Sequence, residues 1–125
     1  MSSAASSPHT LLARVDGVLC ALPIEHVAET MRPLPVEPLA GSPPFVLGLA
    51  VIRGLPTPVV DLAAFLSGRT GAAIGRFVAV RLGERRAALA VADVLGVRVL
   101  PPEALAGLPP LLRDVAPGVL AAVGT

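Results

Sequence analysis

LLARVDGVLCALPI, residues 11–24, decides the fold. Residues 11–15 read as an extended apolar run, Asp16-Gly17 is the two-residue signal of a tight hairpin, and residues 18–24 read as the returning strand. The same grammar then comes back. Residues 77–82, a turn at Gly83-Glu84 and residues 87–91 repeat it, and a shift of 67 lays Arg14 on Arg81, Ala21 on Ala88, Leu22 on Leu89 and Val27 on Val94. Further along, RPLPVEPLAGSPP (32–44) and RVLPPEALAGLPP (98–110) share Arg, Leu, Pro, Glu, Leu, Ala, Gly, Pro and Pro at an offset of 66. Matches that keep their order and their offset mark an internal duplication.

Each unit reads as a hairpin, a short helical signal, a proline-rich extended segment and a further apolar strand. The helical signal in the first unit starts near Pro23, has Ile24, Val27 and Met31 at helical spacing, and is stopped by Pro33. Residues 45–52 then form a strand that turns at Arg53-Gly54 and returns over 57–62, with a short helix over 62–66. In the second unit, residues 119–123 match 49–52 in character, and the returning strand has no counterpart. The fold class expected is all-β, built as two small barrels. The layout is a disordered tail over 1–10, a first barrel over 11–66, a Gly/Ala-rich linker over 67–75, and a second barrel over 76–125 that lacks its last strand.

Composition narrows the function. Apolar residues make up 54% of 125, with three Phe and no Trp or Tyr, so the core must be aliphatic. Prolines at 43, 44, 56, 58, 109 and 110 cut the longest charge-free apolar stretches well short of a spanning helix, which predicts no direct membrane insertion. The start of the chain has neither the basic flank nor the apolar middle of a signal peptide, so the cytoplasm is the expected compartment. All ten basic residues are arginine and nine carboxylates offset them, leaving a net charge of +1 and no footprint for nucleic acid. Cys20 is a lone cysteine among apolar neighbours, which reads as a buried strand residue. His9 and His26 lack companions at metal-ligand spacing, and no nucleophile context is present. The glycines at 68, 71 and 75 read as linker, because a phosphate loop needs a lysine and the chain has none.

Three segments carry a family resemblance. Arg53-Gly54 followed by PVVDL (58–62) resembles the Arg-Gly hairpin tip and Pro-Val-hydrophobic-Asp-Leu strand of CheW-like domains. LPIEHVAE (22–29) is similar to the upstream segment of that family, and LAVADVLG (89–96) to its second-barrel strand. The resemblance implies two intertwined SH3-like barrels, no cofactor and no enzymatic activity. It implies as partners the regulatory domain of a CheA-type histidine kinase and the cytoplasmic tip of a chemoreceptor. The sequence departs from the pattern at Val51, where the family usually has Asn, at Ala63, where a basic residue is common, and in the missing C-terminal strand and helix.

Partner-binding candidates follow from this. Taken alone, an arginine before glycine at a hairpin tip is a solvated side chain that fits the turn. The resemblance instead pairs Arg53 with Glu29 at the border of a receptor-binding groove, and adds Gly54, Val51 and Pro58 from the same hairpin. Asp61 is either a contact residue or the N-cap of the short helix. The expected function is an adaptor between receptor and kinase. The alternative is a degenerate structural module that homodimerises through its open strand edge.

Overall fold

The computed structural model describes residues 9–99 and 122–124. Strands β1 (His9–Val15) and β2 (Val18–Pro23) form the first hairpin, and both turn residues, Asp16 at φ 51° and Gly17 at φ 82°, take the left-handed conformation of a type I′ turn. A single 3-10 turn (Ile24–His26) leads into β3 (Val27–Met31). Strands β4 (Val46–Ile52) and β5 (Leu55–Asp61) follow, then helix α1 (Leu62–Ser67). Strands β6 (Arg76–Leu82), β7 (Arg85–Val91) and β8 (Asp93–Val99) repeat the first three, and β9 (Ala122–Gly124) completes the described elements.

Two expectations are corrected. The helical spacing of Ile24, Val27 and Met31 yields one turn of 3-10 helix and then a strand, because Val27 and Thr30 are β-branched and the backbone has a ladder partner in β6. The first strand also begins earlier than residue 11. His9 and Thr10 pair with Val99 and Arg98, and Thr10 is buried with its hydroxyl donating to the Arg98 carbonyl at 3.2 Å. Most of the repeat over 98–110, and residues 119–121 of the strand expected at 119–123, lie outside the described residues.

The all-β expectation holds. One sheet has the order β8-β1-β2-β9 and the other β3-β6-β7-β5-β4. Adding 67 to the bounds of β1 returns those of β6. The pairings obey the same shift: Met31↔Phe77 in β3–β6 becomes Arg98↔Thr10 in β8–β1, and the register slip at Val27/Glu29 reappears opposite Gly96 and Val94. Each unit therefore gives its third strand to the first strand of the other. Against β2, β9 runs antiparallel in the place where β5 runs parallel against β7.

Because β6 and β7 lie in the middle of their sheet, both their faces are buried. Val78, Val80, Leu89 and Val91 face one core with Leu11, Val15 and Leu22, while Phe77, Ala88 and Ala90 face another with Ala50, Ile52 and Val59. This double burial is why FVAV and AALAV run apolar without alternation. Phe45 and Phe65 meet edge-on at 5.1 Å, so Phe77 is the aromatic ring of the second core.

Two details hold the β4–β5 hairpin. Glu37 exchanges both backbone hydrogen bonds with Leu49, and Gly48, at φ 143°, lies so close that a Cβ would run into the Glu37 carbonyl. Pro56 and Pro58 sit opposite Val51 and Leu49, the positions whose nitrogens point away from β4 when Ile52↔Leu55 closes the turn. Lacking N–H groups on that side, they leave β5 to pair with β7 only from Val59 onward.

Candidate functional site

The site is built at the tip of β4–β5. Arg53 and Gly54 occupy a two-residue turn at φ 54° and 77°, the same left-handed pair as Asp16-Gly17. Aspartate tolerates that conformation well and arginine poorly, so Arg53 stands where local propensity argues against it. Its side chain explains the placement. Nε donates to Glu29 Oε2 at 2.9 Å and Nη2 to Oε1 at 3.0 Å, a two-pronged ion pair in which the Arg53 side chain is 74% exposed and that of Glu29 30%.

The bulge in β3 brings Glu29 there. Val27 lies opposite Val80 and packs on the first core, and the slip at Ala28 then puts Glu29 opposite Ala79, on the face that leads to the second core. The Arg53 hydrogen bonds, reinforced by its charge, hold the Glu29 carboxyl below the usual carboxylate range, and Glu29 raises Arg53 in return by the same contact.

Beneath the pair opens a cavity of about 530 Å³ with Ile52, Thr57 and Ala79 in its floor. Glu29, Arg53, Arg81 and Arg86 form its rim. On the reverse face of the hairpin Val51 is 67% exposed, and Pro56 and Pro58 are exposed beside it, making a small apolar surface.

The structure thus brings Arg53, Gly54 and Glu29 together, and places Val51 and Pro58 on the other side of the same hairpin. Asp61 lies apart. It is 4% exposed, and Oδ1 accepts from the Ala64 N–H at 3.3 Å to cap α1, so the capping role is the one its geometry carries. The residues that motif reading missed are Arg81 and Arg86. A two-residue turn at Gly83-Glu84 makes them directly opposed, and that register was the signal available.

The family model for the CheW-like domain matches residues 9–124. The chain belongs to the CheW-like family. This is a family of scaffold and adaptor domains without catalytic activity. Protein FrzA of Myxococcus xanthus is 36% identical over 91 residues, 70% of this chain and 56% of FrzA, so the chain spans little more than half of that relative's length. The crystal structure of scaffolding protein TtCheW from Thermoanaerobacter tengcongensis is similar with a TM-score of 0.71 at 23% identity, covering 82% of this chain and 71% of that one. That likeness shows the SH3-like β fold. Among the described residues no helix is long and apolar enough to cross a membrane.

Proposed function

We propose that this protein is a cytoplasmic adaptor that couples chemoreceptors to a CheA-type histidine kinase by binding both. The observation that carries the reading is the Arg53–Glu29 pair, a charged clamp held in a disfavoured turn conformation at the mouth of a cavity. Strain kept at an exposed residue points to recognition, since a solvated turn would do as well with Asn or Asp. Arg53, Glu29 and Gly54 meet the receptor tip, and the apolar back of the hairpin at Val51 and Pro58 extends that surface. Calorimetry with the kinase regulatory domain and with a receptor-tip fragment from the same genome tests it. Binding of both supports the adaptor; no heat with either at about 50 μM refutes it.

One observation favours a second reading. Among the described strands β8 lies at the edge of its sheet, and its Val97 and Val99 are 47% and 61% exposed, an edge suited to pairing with another copy. Light scattering separates the two. A stable dimer indifferent to the kinase domain supports the structural module, and a monomer that gains mass with it supports the adaptor.

A further inference from the structure

Arg81 and Arg86 face each other across the β6–β7 ladder, both exposed and both lining the cavity under Arg53. Like charges at directly opposed positions repel. Among the described residues the ion pairs are Arg53–Glu29 and Arg69–Asp16, so neither guanidinium of this hairpin has a carboxylate at salt-bridge distance. The duplication shows that the hairpin does not require them. A shift of 67 carries Arg14↔Leu19 of β1–β2 onto Arg81↔Arg86, and the first hairpin forms with one arginine opposite a leucine.

The rim of the cavity therefore has three guanidiniums and one carboxylate, and that carboxylate is already engaged by Arg53. Below it the floor sets Ile52 and Ala79 beside Thr57. Such a surface complements a protein segment that presents carboxylates beside apolar side chains. A nucleic-acid strand fits less well, because its phosphates would meet Glu29 and its bases find no aromatic ring in the lining to stack on.

We propose that Arg81 and Arg86 are a two-armed receptacle for carboxylates of the partner, and that the receptor helix seated over the cavity is acidic and amphipathic along the face it presents. This deepens the adaptor reading and rests on it. The repulsion between the two guanidiniums is relieved when a carboxylate enters between them, which adds specificity for an acidic partner over a neutral one.

Calorimetry of the full chain with a purified chemoreceptor-tip fragment from the same genome, across a series of salt concentrations, is the test. Arg81→Gln with Arg86→Gln should weaken binding about tenfold or more at low salt and flatten the salt dependence. Its melting temperature should hold or rise, whereas a structural role would lower it. Arg14→Gln, the matched exposed arginine away from the cavity, should bind as wild type. Wild-type affinity and salt slope in the double variant, with binding lost in Arg53→Ala, overturns the receptacle and leaves the adaptor standing. Failure of the wild-type chain to bind the fragment overturns both. An oligonucleotide that binds the wild-type chain and is released by the double variant overturns the assignment to protein carboxylates.

Discussion

Arg53 and Asp16 hold the same place in two hairpins of one chain, and the comparison isolates what the arginine is for. Asp16 suits its turn, while Arg53 sits in a conformation it disfavours and reaches 24 residues back to Glu29. Arg53→Ala should leave the circular dichroism melt nearly unchanged and abolish receptor-tip binding, and unfolding of the variant would make Arg53 structural. Glu29→Arg should also lose binding, and adding Arg53→Glu should restore part of it, the signature of a coupled pair. Acid provides an independent handle. The folded pKa of Glu29 is depressed, so the pair contributes fully above the ordinary carboxylate value and fades as pH falls through the lower folded one. The Glu29 carboxyl, followed by NMR, should titrate below the ordinary range in the native chain and return to it in Arg53→Ala. Cys20 behaves in the opposite manner: burial pushes its thiol up to about 11, so it should resist thiol reagents at neutral pH until the protein unfolds.

At the scale of the element, the β4–β5 hairpin depends on close backbone approach at its outer edge. Gly48→Ala forces a Cβ into the Glu37 carbonyl at a φ that side chains rarely adopt, and should cost roughly 1–3 kcal/mol in urea unfolding. Asp61→Ala, which removes the cap of α1, should cost about 1 kcal/mol and leave receptor binding unchanged. The hairpins were legible in the sequence because a two-residue turn sets its own register: Asp16-Gly17, Arg53-Gly54 and Gly83-Glu84 each announce the strands they join. β3 was not, since Ile24, Val27 and Met31 recur at intervals that fit a helix as well as a strand shifted by a bulge at Ala28. The contact at the site was legible only through family resemblance. Nothing local links Glu29 to Arg53, and the opposition of Arg81 and Arg86 appears only once register is known.

Across the whole molecule, the two cores share β6 and β7 as a common wall. Leu22→Ala in one core and Phe77→Ala in the other should each cost about 2–5 kcal/mol. Both should shift one common transition, as followed by calorimetry and fluorescence-independent far-ultraviolet dichroism; two separable transitions would mean that the shared strands do not couple the cores. Trading of strands between the duplicated units has a further consequence for how the chain is made. During synthesis the β1–β2 hairpin leaves the ribosome long before its neighbour β8, and Thr10 waits 88 residues for Arg98. β3 likewise has no ladder until β6 emerges. The nascent first half thus travels with the flanks of β1, β2, β3 and β5 unsatisfied, and commitment to the native topology comes late, when the second half can reach back and close them.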